Sequence, residues 1–98
     1  MAKILVSPAF GAGWSTWANE DQEEFMLRDP ALIALAEAKA GVAAVDRLLA
    51  QRFGDDAPYT GGWDSIQVVE LPDGTPFTVQ EYDGYESLIQ ASSLDRTA

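Results

Sequence analysis

Apolar positions along this chain fall in short, unequal runs whose spacing changes from strand-like to helix-like and back. Ile4, Leu5 and Val6 follow Lys3 without a polar break, which predicts a short strand covered on both faces. Ser7-Pro8 ends it, because proline brings no N–H to a ladder. Ala9 to Trp14 reads as a glycine-rich loop carrying two large rings, Phe10 and Trp14. Ser15 or Thr16 then offers a hydroxyl N-cap, and Trp17–Leu27 reads as a helix anchored by Trp17, Phe25 and Met26. Glu20, Asp21, Glu23 and Glu24 sit in its first half, where the helix dipole favours negative charge.

Asp29-Pro30 is the clearest punctuation: an N-cap acceptor followed by a residue suited to the first helical position. Leu32, Leu35 and Ala36 continue on one stripe. Gly41 is either a C-cap or a tolerated internal glycine; as a cap, it separates off a further helix over 42–53. There Val42, Val45, Leu48, Leu49 and Phe53 recur at helical spacing, and Gly54-Asp55-Asp56 stops the run. Residues 58–64 form a loop, and Ser65–Leu71 reads as a strand with imperfect alternation. Pro72 to Thr75 supplies a turn, and Pro76–Tyr82 alternates clearly, so the two strands read as a hairpin. After Asp83-Gly84, one helical turn packs Tyr85, Leu88 and Ile89 on the sheet, and residues 92–98 form a frayed tail. The expected fold is α+β: a three-stranded, mostly antiparallel sheet of N-terminal strand plus C-terminal hairpin, packed against two to three helices.

Composition narrows what such a fold can do. The 98 residues suit one domain, and they include neither cysteine nor histidine. Disulfides, thiol nucleophiles and zinc–thiolate sites are thereby excluded, and so is imidazole catalysis. No run approaches the about 18 to 20 apolar residues of a membrane span, and the start lacks a signal-peptide pattern, so a cytoplasmic location is expected. Net charge is −10, unevenly spread. Residues 53–98 hold nine carboxylates and one arginine. That field repels nucleic acid and anionic membranes and attracts basic protein surfaces.

No constellation of catalytic residues emerges. The loop from Phe10 to Trp14 sits between strand and helix, as a phosphate loop does, but lacks the further glycine or the Gly-Lys-Ser/Thr that phosphate binding needs. Asp55-Asp56 and the run from Asp83 to Glu86 fall short of the converging oxygens of a calcium site. Glu70 and Glu81 face each other only if the predicted hairpin forms, and no cleft accompanies them. The expectation is a non-enzymatic chain without metal or cofactor. Six of its aromatic residues, Trp14, Trp17, Tyr59, Trp63, Tyr82 and Tyr85, suffice for a stacking platform, but a nucleic-acid groove is normally basic. Aromatic anchors within an acidic surface suit protein recognition instead.

A resemblance adds a setting. Val69-Glu70-Leu71-Pro72-Asp73-Gly74, followed by Phe77-Thr78-Val79-Gln80-Glu81-Tyr82-Asp83-Gly84-Tyr85-Glu86-Ser87-Leu88, resembles the C-terminal signature of a widespread family of small phage- and prophage-encoded proteins. Lys3 to Val6, Phe10-Gly11 and Asp29-Pro30-Ala31-Leu32 are similar to its earlier motifs. Ala12-Gly13-Trp14 replaces the commoner second Gly-Phe, and the basic, aromatic ending of many members is missing. The resemblance implies a phage protein in the cytoplasm of an infected host, blocking a host machine as anti-CRISPR proteins do. The expected partner is a basic host protein or ribonucleoprotein complex, with no direct nucleic-acid contact. The expected contacts are Asp55, Asp56, Asp64, Asp73, Glu81, Asp83 and Glu86, with Tyr59, Trp63 and Tyr85 as anchors. The alternative is an accessory or structural phage protein acting through self-association or virion contacts.

Overall fold

Strand β1 (Ala2–Val6) lies at the centre, and its alternating side chains enter two different interiors. Leu5 points into a core built with Trp14, Met26, Leu32, Val45, Leu49 and Trp63. Ile4 points the other way, into a second core with Leu27, Leu71 and Phe77. This strand is covered on both faces, as its unbroken apolar run predicts. A computed structural model describes residues 1–90 and 96–98.

Three helices cover one side: α1 (Glu23–Arg28), α2 (Pro30–Glu37) and α3 (Val42–Phe53). The Asp29 carboxylate accepts from the N–H groups of Ala31 and Leu32 at 3.0 and 3.3 Å, the cap expected before Pro30. Gly41 is neither a C-cap nor internal; it is the N-cap of α3, in extended conformation. Helix α2 is closed instead by Lys39 at φ +54°, where the Ala40 N–H reaches the Leu35 carbonyl and the Lys39 N–H that of Ala36. This is a Schellman closure with lysine where glycine is usual, and a cation at a helix C-terminus offsets part of the cost.

The strands form two separate sheets. In the first, β1 pairs antiparallel with β2 (Gln67–Leu71), with Ile4 opposite Val69 and Leu5 opposite Val68. In the second, β3 (Pro76–Tyr82) lies between β4 (Tyr85–Gln90) and the short β5 (Arg96–Thr97). Helices, first sheet and second sheet therefore stack as three layers, with Leu5 and Val68 facing the helices and Ile4 and Val69 facing the second sheet.

Five expectations are corrected. The single three-stranded sheet is two sheets. The turn at 72–75 forms, with Thr75 N–H donating to the Pro72 carbonyl at 3.1 Å, but it carries the chain from one sheet to the other. Leu71 and Phe77 both enter the second core, so β2 and β3 face one another across it and do not pair edge to edge. The hairpin joins β3 to β4 through Asp83-Gly84, with Tyr82 opposite Tyr85, so the expected helical turn at 85–89 is a strand. The expected helix over 17–27 breaks into 3₁₀ turns at Ser15–Trp17 and Glu20–Gln22 before α1, with a capping box between Asn19 and Gln22. Of the expected frayed tail, 92–95 lie outside the described residues. Arg96–Thr97 pair with β3, and the Arg96 guanidinium bonds Glu23 and Glu24, each at 2.7 Å.

Candidate functional site

Glu86 is the polar keystone of one end of the molecule. Its strand position turns it inward, and it is 1% exposed. One oxygen accepts from the Ser7 N–H at 3.0 Å. The other accepts from the Trp14 N–H at 2.8 Å, the Thr16 N–H at 3.0 Å and the Thr16 hydroxyl at 2.6 Å. The Glu86 N–H in turn donates to the Ser7 carbonyl at 3.1 Å. Burying an unpaired carboxylate is costly, and four donors converging on two oxygens offset that cost. The backbone donors of the 14–16 loop thus meet an anion supplied by the protein itself. Held by Glu86, those N–H groups are not free for an external anion.

The carboxylate ties three segments together: the end of β1, the 14–16 loop and the β3–β4 hairpin. A second tie runs outside it, where the Gly11 N–H donates to the Asp83 carbonyl at 2.6 Å. Gly84, at φ +84°, sits against this junction; a Cβ there would lie 2.7 Å from the Ala12 nitrogen and 2.8 Å from the Trp17 ring. Only glycine meets both demands. The Gly84 N–H donates to the Glu81 carboxylate at 2.7 Å, which fixes the turn from the strand side.

On this scaffold five rings stand at the surface. Phe10 and Tyr82 are 70% and 72% exposed, and Trp17, Tyr59 and Tyr85 are each more than a third exposed. Phe10 lies 5.2 Å from Tyr85 and 6.3 Å from Tyr82 between centroids. Trp17 and Tyr59 lie 5.4 Å apart, and the Tyr59 hydroxyl donates to the Gly11 carbonyl at 3.3 Å. Gly11 and Gly84 therefore join the two ring groups into one aromatic face. Large contiguous exposed apolar surface is unusual on a monomer and marks interaction sites.

The expected contact residues divide. Tyr59, Glu81, Asp83 and Tyr85 meet at this face. Asp55 and Asp56 are exposed on the 3₁₀ turn Gly54–Asp56 that leads toward Tyr59. Asp73 is exposed but lies at the other end of β1, 3.7 Å from the terminal amine of Met1. Asp64 borders a separate depression with Lys39 and Gly41. Two expectations are overturned by burial. Glu86 is a structural acceptor with no surface to offer. Trp63 is 5% exposed, packed 5.6 Å from Trp14, with its ring N–H on the Ala40 carbonyl.

Phe10, Trp17 and Tyr82 belong to the face but not to the expected contact set. A signal existed for Phe10, a large ring beside a glycine in a loop, and for Tyr82, which precedes the Asp-Gly turn. Glu70 and Glu81 lie in different sheets, so the carboxylate pair imagined across a hairpin does not form. Among the described residues no group of three or more metal-ligating side chains converges. Comparison with family models, curated proteins and solved structures finds no match to this chain.

Proposed function

We propose that this chain is a phage-encoded, non-enzymatic inhibitor. It acts in the cytoplasm of the infected host and docks on a basic, nucleic-acid-handling protein or ribonucleoprotein complex there. Occupation of the target's nucleic-acid surface is the mode, and anti-CRISPR activity is one form it takes. The observation that carries the reading is the face of five exposed rings, fixed from beneath by Glu86 and bordered by Glu81 and Asp83. Rigid aromatic anchors lose little entropy on binding, and flanking acids select and steer a basic partner.

Self-association uses an apolar face too, but it brings together two copies of charge −10, whose repulsion opposes a dimer at low salt. Sedimentation across a concentration series separates the two readings. The test of the first is affinity capture from host extract with wild type, with Asp55→Lys/Asp56→Lys and with Tyr82→Ala, at low and high salt. Capture of a basic nucleic-acid-handling protein that falls with either substitution, with salt and with added duplex DNA or RNA supports it. A captured set indifferent to all of these sinks it.

A further inference from the structure

We infer that the groove beside Phe10, Tyr82 and Tyr85 receives an arginine side chain of the partner. This rests on the docking face above and names the group that enters it. The groove is shallow and open, with a volume of about 230 Å³. Its walls follow from strand alternation. Gln80 pairs with Ser87 and Tyr82 with Tyr85, so these four side chains stand on one face of the hairpin, opposite that of Glu86. Phe10 closes the side, inclined 49° to Tyr85 and 76° to Tyr82.

Such a lining has two recognition elements. Aromatic faces carry negative potential and attract a cation placed over them. The Gln80 amide oxygen, the Ser87 hydroxyl and the tyrosine hydroxyls are acceptors for the N–H groups of that cation. Guanidinium fits both, because it is planar, stacks on rings and is weakly hydrated. A lysine ammonium in so open a groove keeps most of its water and gains less.

The protein already uses this contact internally. The Arg28 guanidinium lies over the Phe77 ring at 5.6 Å, and that of Arg52 over Phe25 and Phe53 at 5.4 and 5.5 Å. The groove itself is lined by no basic side chain of the described residues, and residues 91–95 contain none. Glu81, which also lines the groove, and Asp83 at the hairpin tip add negative field there.

The test is aromatic-ring NMR of the intact protein, titrated with capped Gly-Gly-Arg-Gly-Gly and with the same peptide carrying citrulline or lysine. Citrulline keeps the shape and removes the charge. Saturable shifts at Phe10, Tyr82 and Tyr85 are expected with the arginine peptide, with binding roughly 3- to 30-fold weaker for citrulline and weaker also for lysine. Tyr82→Leu, a change at an exposed position, should abolish the shifts while the buried Trp14 signals stay in place. Equal binding of citrulline, tighter binding of lysine, or no saturation overturns the inference. If these peptides fail while salt-dependent capture of a basic protein persists, the docking face stands and only the arginine groove is lost.

Discussion

Trp14 and Trp63 on one side, and Phe10, Tyr82 and Tyr85 on the other, are two clusters of packed aromatic rings with opposite fates. In the first, both rings are buried, and each indole N–H reaches a backbone carbonyl at 2.7 Å, Met26 for Trp14 and Ala40 for Trp63. In the second, the rings stand in solvent on a hairpin tip and a loop. Burial of an aromatic residue demands a partner for its polar atom as well as apolar neighbours. The contrast teaches that aromatic anchors are assigned by which backbone they are mounted on, and here the mounting is set by Glu86.

Both clusters rest on Glu86. Glu86→Ala leaves the N–H groups of Ser7, Trp14 and Thr16 without their acceptor, and a loss on the order of 3–5 kcal/mol is expected in denaturant unfolding. Trp14→Ala empties the centre of the helical core and should cost about 3–5 kcal/mol by the same measurement. Gly84→Ala forces a Cβ onto backbone nitrogens at the Gly11–Asp83 junction, and about 1–3 kcal/mol is expected. Its further effect is to displace Phe10 from Tyr85, read as altered ring shifts in NMR.

The exposed cluster should respond in the opposite sense. Tyr82→Ala should change stability by no more than about 0.5 kcal/mol, because its ring is mostly in solvent, while capture of the partner falls. A matching loss of stability would mean that the ring supports the fold and is no free anchor.

The smallest effect lies outside both clusters. The Lys3 ammonium is held above its usual pKa of 10.5, chiefly by its hydrogen bond to Glu37 at 2.6 Å and then by that carboxylate's charge. A pKa raised in the folded state contributes stability that is complete below the unfolded value and lost as pH rises through the folded one. Lys3→Met should therefore differ slightly from wild type at neutral pH and converge with it at strongly alkaline pH, as thermal unfolding midpoints would show.

Local signals were legible where a short stretch of chain decides the outcome. Asp29-Pro30 starts α2, Val42–Phe53 is a helix, and the run Ile4 to Val6 is a doubly covered strand. Pairing was not legible, because it depends on distant partners. The 72–75 turn and the Asp83-Gly84 turn carry similar residues, and only the packing of Leu71 and Phe77 into one core decides that the second makes the hairpin. Glu86 looked like one more acid in an acidic segment. Its role requires donors 70 to 79 residues earlier in the chain, which no local pattern shows. Of the acids expected as contacts, the fold gathers Glu81 and Asp83 beside the rings and buries Glu86 beneath them.

On the proposed reading, the exposed cluster binds the partner and the buried one holds the fold. The direct measurement is partner capture by the double variant Phe10→Ser/Tyr82→Ser, alongside wild type, under conditions where both are folded by circular dichroism. Capture is expected to fall to background with an unchanged spectrum. Undiminished capture by the folded double variant would contradict it.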